Sequence, residues 1–219
     1  MKYKLAIFDL DGTLLDTLDD LADSVAHTLA AANLPPRTRD EVRRFVGNGI
    51  HKLIERAVPA DSSSQTIDKI ECEFRSYYKL HCVDKTKPYD GIIELIERLR
   101  AAGCKTAVVS NKGDFAVQEL AKQYFPGMLD CAVGERTGVR TKPAPDSVNA
   151  VLSELGINRS DAIYIGDSDV DIDTAKNAGM DSISVLWGFR DREFLTEHGA
   201  EQFVETPREI GDIVLGKDI

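Results

Sequence analysis

Two carboxylates one residue apart, Asp9 and Asp11, close the apolar run Leu5-Ala6-Ile7-Phe8 and are followed at once by Gly12 and Thr13. A run this short and this apolar reads as a strand buried on both faces, and open α/β sheets gather ligands at the carboxyl ends of such strands. Acids there are costly to desolvate unless they hold something. Ser110 ends a second strand pattern, Asp167 follows a third, and Lys142 lies in a loop. In a parallel sheet those ends share one edge, so groups far apart in sequence converge on one crevice. The carboxylates of Asp9, Asp11 and Asp167 make a hard, oxygen-rich set suited to Mg2+, which takes few protein ligands and keeps waters or phosphate oxygens. Ser110 adds a hydroxyl donor and Lys142 a positive charge. Gly12 permits close backbone approach, and successive amides there can form an anion-binding concavity. Together these groups select a phosphoryl group.

The positioning elements follow from periodicity. From Tyr89 onward, strand and helix patterns alternate: an amphipathic helix from Gly91 to Ala102, a strand Thr106 to Ser110, a helix Asp114 to Tyr124 and a strand Leu129 to Val133. Pro145 marks a helix start and Gly156 its stop, leading to a strand Ala162 to Ile165. A helix Val170 to Ala178, stopped by Gly179, feeds a last strand Ser182 to Leu186. Such alternation implies parallel pairing with right-handed crossovers, an α/β, Rossmann-like doubly wound sheet. Residues 16–83 break the rhythm with four helical patterns and no convincing strand. Asp16 or Thr17 caps the first, Thr38 with Glu41 forms a capping box, Gly47-Asn48-Gly49 precedes the third, and Ser62 with Gln65 starts the fourth. The expected domains are a core of 1–15 with 84–219 and an inserted helical module of 16–83.

Composition narrows the partners. The 219 residues suffice for one large domain or a domain with an insertion. With 27 basic and 37 acidic residues the net charge is -10, which disfavours nucleic acid and anionic membranes. No apolar run approaches spanning length, so a cytoplasmic location is expected. Four scattered cysteines lack zinc or redox spacing and are expected to be free thiols. The four histidines show no ligand spacing, and Lys112 reads either as an aid to phosphate binding or as a solvated neighbour of the site, the second being favoured.

The motifs Asp9-Leu10-Asp11-Gly12-Thr13, Val108-Val109-Ser110-Asn111, Thr141-Lys142-Pro143 and Gly166-Asp167-Ser168-Asp169-Val170-Asp171 resemble, in order, the four motifs of the haloacid dehalogenase superfamily of phosphohydrolases. The resemblance implies that Asp9 is the nucleophile forming an aspartyl-phosphate, and that Asp9, the Asp11 backbone oxygen and Asp167 ligate Mg2+. It implies further that Ser110, amides near Asn111 and Lys142 bind phosphoryl oxygens, that Asp11 is the general acid and base, and that 16–83 is a cap. Asp171 is expected to act as an outer-shell group, touching the metal through water or pairing with Lys142. Asp16 reads as a helix cap and hinge element, and Asp169 and Asp173 as acids serving a helix N-terminus. In the cap, Arg43, Arg44, Asn48, His51 and Lys52 flank the glycine break and are candidate specificity residues, with a solvated helix face as the alternative. Asp11-Gly-Thr-Leu-Leu-Asp-Thr, Phe45-Val46-Gly47-Asn48-Gly49 and Ser110-Asn111-Lys112 most resemble phosphoglycolate phosphatases, so a small phosphorylated metabolite is the expected partner. A pyrophosphatase or broad sugar-phosphate phosphatase is the nearest alternative. A phospho-accepting receiver domain is the alternative from another class, disfavoured by two acids on the first strand. Nothing in the sequence distinguishes a monomer from a homodimer.

Overall fold

The structure, a computed structural model, describes residues 1–217. In chain order the elements are β1 (Leu5–Phe8), β2 (Leu15–Asp16), α1 (Leu18–Ala31), α2 (Arg39–Phe45), α3 (Gly49–Ala57), α4 (Ser64–His81), β3 (Lys87–Pro88), α5 (Ile92–Ala101), β4 (Lys105–Gly113) and α6 (Asp114–Tyr124). There follow β5 (Cys131–Glu135), α7 (Asp146–Leu155), β6 (Ala162–Gly166), α8 (Asp169–Ala178), β7 (Asp181–Val185), α9 (Arg192–Glu197), β8 (Phe203–Val204) and α10 (Pro207–Leu215). Six strands pair in parallel in the order β5-β4-β1-β6-β7-β8. The first strand is therefore central, and the chain turns to opposite sides of it, which opens a crevice at its carboxyl end.

The pleat of β1 explains its unbroken apolarity. Ala6 and Phe8 face a core with Ile92, Ile96, Ile210 and Val214, whereas Leu5 and Ile7 face one with Val148, Val151, Ala175 and Ala178. Both faces are covered by helices, as parallel sheets require. Glycines in left-handed conformation close α7 and α8 at Gly156 and Gly179, as read from the sequence. The sequence expectation misses β8, a two-residue edge strand too short for a periodic signal, and β4 runs on to Gly113 past the expected end at Ser110.

The four helices α1–α4 bury their own apolar cluster, including Leu21, Leu29, Leu53, Ile54, Ile70, Phe74 and Tyr78. The Thr38–Glu41 capping box forms as expected. The last helix is capped by Ser63 through the Thr66 amide, one residue later than the Ser62–Gln65 pair suggests. Asp16 belongs to a strand: β2 pairs antiparallel with β3, Asp16 opposite Lys87, so the chain leaves and re-enters the sheet domain through a two-stranded ribbon. Thr17, and not Asp16, holds the N-cap position of α1. No helix among the described residues is long and apolar enough to cross a membrane, and the four cysteines are free thiols.

Candidate active site

Register brings the predicted groups together. Phe8 is level with Val108 of β4 and Ile165 of β6, so Asp9 and Asp167 emerge just beyond the ends of β1 and β6, beside Ser110 near the carboxyl end of β4. The Asp9 amide donates to the Ile165 carbonyl at 2.8 Å, and Asp9 Oδ1 accepts from the Leu10 amide at 2.7 Å. Lys142 Nζ lies 2.9 Å from Asp9 Oδ1 and 2.8 Å from Asp171 Oδ1, and donates to the Tyr164 hydroxyl at 3.1 Å. Asp167 accepts from the Thr13 hydroxyl at 3.1 Å and from the Phe189 amide at 2.7 Å.

Ligand oxygens of Asp9, Asp167 and Asp171 all lie within 4.8 Å of one another, and all three residues are buried. Burial pushes the Asp9 carboxyl up to about 7; Lys142 opposes this, while Asp171 and Asp11 add to it. Burial, then Asp171 and Asp9, push Asp167 up to about 8. The chain thus leaves these two acids short of positive charge, and an oxygen-rich pair in that condition fits a hard divalent cation. Asp171 differs. Its Oδ1 meets Lys142, and its Oδ2 accepts from the Asp167 and Ser168 amides and the Ser168 hydroxyl at 3.2, 3.1 and 2.7 Å. With both oxygens engaged, Asp171 holds Lys142 and the Asp167 loop in place.

A pH dependence follows. A raised carboxyl pKa means the folded protein binds more protons than the unfolded chain between the ordinary carboxylate range near ~4 and about 8, so stability falls as pH rises through that window. A cation takes the deprotonated form. Thermal melts are expected to show the metal-free protein losing stability from pH 5 to 8.5, and any rise in Tm on adding a hard divalent cation growing over the same range. An increment independent of pH contradicts the assignment of these acids.

Lys142 is 2% exposed at its side chain and flanked by two buried carboxylates. Replacing it with methionine leaves them uncompensated, which costs about 3–5 kcal/mol for a buried pair. Urea unfolding of Lys142→Met without metal should show a loss of that order, and a loss below ~1 kcal/mol contradicts the pairing.

Two predicted site residues, Gly12 and Asn111, and their neighbour Lys112 sit in ways the sequence did not indicate. Gly12 has φ +81°, and its amide donates to the Leu15 carbonyl at 2.9 Å, so it is not presented to an anion. A Cβ there would collide with the Asp167 carboxylate, whose Oδ1 would lie 2.9 Å away. The glycine thus makes room for Asp167. Asn111 spends its side chain on the Lys142 backbone, accepting from its amide at 2.8 Å and donating to its carbonyl at 3.0 Å, and also donates to the Gly47 carbonyl at 3.1 Å. It positions the lysine loop and joins it to the helical module. Lys112 is not solvated: its side chain is 2% exposed and its ammonium donates to Asp11 Oδ1 at 2.8 Å. Burial would lower its pKa, but Asp11 and the Tyr78 phenol outweigh this and raise it. The Thr17 hydroxyl donates to the same Asp11 oxygen at 2.5 Å.

A cavity of about 40 Å3 lies between sheet and module, lined on one side by Asp9, Asp11, Ser110, Asn111, Lys112, Asp167, Ser168, Phe189 and Arg190. The module contributes Leu21, Val46, Gly47, Gly49, Ile50, Leu53 and Tyr78. Arg43, Asn48, His51 and Lys52 are absent from this lining. Asn48 accepts from Arg56, His51 is exposed beside Glu71 at 2.7 Å, and Lys52 pairs with Glu55. Arg43 offers only its carbonyl, which accepts from Arg190 Nη1 at 3.0 Å. Arg190 Nη2 donates to the Arg44 and Val46 carbonyls at 3.3 and 2.9 Å, so this sheet-domain arginine ties down the C-terminal end of α2. The glycine break reaches the crevice as backbone and apolar surface, and the cations facing it are Lys112 and Arg190. Sequence reasoning misses Tyr78 and Arg190. Tyr78 continues the Ile70, Phe74 stripe of α4 and reads as core, and Arg190 follows the last strand with no local signal.

Residues 6–185 match the family model described as haloacid dehalogenase-like hydrolase. The chain is 33% identical over 216 residues to the N-acetylmuramic acid 6-phosphate phosphatase of Pseudomonas aeruginosa, covering 98% of this chain and 96% of that protein. It is 36% identical over 198 residues to the phosphoglycolate phosphatase of Mesorhizobium japonicum, covering 88% and 86%. A crystal structure of a candidate phosphoglycolate phosphatase from Lactobacillus delbrueckii subsp. bulgaricus superposes with a TM-score of 0.94 at 38% identity, covering 99% and 100% of the two chains. The chain belongs to the haloacid dehalogenase-like hydrolase family, as one of its phosphatases.

Proposed function

We propose that this protein hydrolyses a small phosphate monoester with Mg2+, through a phosphorylated Asp9, and that 2-phosphoglycolate is its preferred substrate. The observation that carries the reading is the pair of buried, charge-starved acids Asp9 and Asp167, sharing one cavity with Asp11 and with Lys142 beside Asp9. Asp9 and Asp167 would hold the ion together with the backbone carbonyl of Asp11. The ion would supply positive charge between an anionic nucleophile and an anionic phosphoryl group.

The chain's own groups do the rest. An Asp9 oxygen attacks phosphorus in line as the bond to the leaving oxygen breaks. Lys142, held by Asp171 and Tyr164, keeps Asp9 oriented and sets positive charge behind it, while the Ser110 hydroxyl donates to the phosphoryl oxygens. Asp11 gives its proton to the departing alkoxide. It then takes one from the water that attacks the phosphorus of phospho-Asp9, which releases phosphate and restores the acid. Residues 16–83 serve as the cap, joined to the core by the β2–β3 ribbon and fastened over the site by Asn111 and Arg190. Closure excludes water from the reacting atoms.

The substrate assignment is supported by the relatives named as phosphoglycolate phosphatases, which are 34–37% identical over 85–88% of this chain. The test is phosphate release, with and without Mg2+, across 2-phosphoglycolate, pyrophosphate, hexose phosphates and N-acetylmuramic acid 6-phosphate. The highest kcat/KM is expected for 2-phosphoglycolate. A higher value for the amino-sugar ester overturns the substrate assignment, and no release from any ester overturns the activity.

A further inference from the structure

Two hydrogen-bond donors in the cavity wall are not fully used. Tyr78 is wholly buried and lines the cavity, and its hydroxyl, which lies against the Lys112 ammonium, has no acceptor for its own proton among the described residues. Phenylalanine would pack in the same apolar stripe without burying an unpaired polar atom, so core packing alone does not account for the hydroxyl. Lys112 lies beside it, its Nζ 4.7 Å from the Tyr78 ring centre. An ammonium carries three N–H donors, and the acceptor that Lys112 meets among the described residues is Asp11 Oδ1. Lys142 is committed to Asp9 and Asp171, and Arg190 to backbone carbonyls of the cap. Lys112 thus keeps an N–H for a ligand, and of the two cations that line the cavity it is the one paired with Asp11.

We infer that Tyr78 and Lys112 form a subsite for a carboxylate on the leaving group of the substrate, making Tyr78 a specificity residue supplied by the cap. The inference rests on the phosphatase reading, in which Asp11 faces the leaving group. A carboxylate is acceptor-only and matches two convergent donors, one of them charged. A neutral hydroxyl could accept from the same donors but carries no charge to match Lys112, and an ammonium would be repelled by Lys112. The remaining cap wall, with Leu21, Val46, Ile50 and Leu53, is apolar and gives no hold to a larger polar group. Because Tyr78 belongs to α4, the carboxylate is contacted only when the cap is seated.

The test compares 2-phosphoglycolate with 2-hydroxyethyl phosphate, which keeps the two-carbon skeleton and loses the carboxylate. The wild-type protein is expected to favour 2-phosphoglycolate by at least about tenfold in kcat/KM, since a site built for a polar group discriminates against the analogue lacking it. Tyr78→Phe should raise KM for 2-phosphoglycolate by about tenfold with little change in kcat, collapsing that ratio. A purely structural tyrosine would weaken both esters alike, and that result, or a wild-type protein indifferent to the carboxylate, overturns the inference. If neither ester is turned over, the phosphatase reading fails by itself. Calorimetric titration of both esters into Mg2+-loaded protein carrying Asp9→Asn, with and without Tyr78→Phe, then decides the subsite without turnover: a preference for 2-phosphoglycolate that Tyr78→Phe removes supports it, and equal binding of the two esters overturns it.

Discussion

Asp9→Asn is expected to lower kcat by on the order of 10⁴ or more, because an amide neither attacks phosphorus nor carries the intermediate, and losing the nucleophile removes the whole two-step route. The same change should stabilise the metal-free protein at pH 8. Asp9 is buried, its carboxyl is pushed up to about 7, and ionising it opposes folding where no cation is present. Activity and stability therefore move in opposite directions, as they do where a site stores unfavourable charge for function. Parallel assays of phosphate release and thermal unfolding check the pair of effects. Retention of more than about a hundredth of the activity would remove Asp9 from the role of nucleophile.

Asp11→Asn should divide substrates by their leaving groups. An alkyl ester needs a proton delivered to its departing oxygen, work that contributes about 10²–10⁴-fold, and its hydrolysis should fall by that factor. A nitrophenyl ester leaves without help, so the first step survives while the water that clears phospho-Asp9 has lost its base. The expected record is a burst of nitrophenol near one equivalent per protein, followed by a slow steady state. The substitution also deprives buried Lys112 of the carboxylate 2.8 Å away, so stability should drop as well, and rates must be referred to folded protein. Equal losses on both esters with no burst would exclude Asp11 as the acid and base.

Much of this was legible in the sequence because it is local. A buried parallel strand is written as an unbroken apolar run, and strand ends in such sheets share an edge, so Asp9, Ser110 and Asp167 could be placed together before any coordinates. The helix starts and stops at Thr38, Gly156 and Gly179 are equally local. Groups whose role depends on the packing of distant segments were not legible. Lys112 follows Ser110-Asn111 as a surface lysine would, and only the descent of α4 over the crevice buries it. Tyr78 obeys the i, i+4 spacing of Ile70 and Phe74, and helical periodicity cannot say that one member of a core stripe borders a cavity. The cations around Gly47-Asn48-Gly49 attracted attention by charge, but they pair within the module or face solvent while Val46, Ile50 and backbone meet the site. Gly12 and Asn111 are expected from the sequence to bind phosphate; in the structure one lacks a Cβ against Asp167 and the other brackets Lys142.

The central claim is that phosphate passes through Asp9. Rapid acid quenching of the Mg2+-loaded protein with radiolabelled substrate, followed by borohydride reduction and peptide mapping, reads that step directly. Label should appear on the protein before free phosphate accumulates, and reduction should convert residue 9 to homoserine. Phosphate released in the first turnover with no label on the protein, and residue 9 recovered as aspartate, would mean that water attacks the substrate directly and would contradict the account.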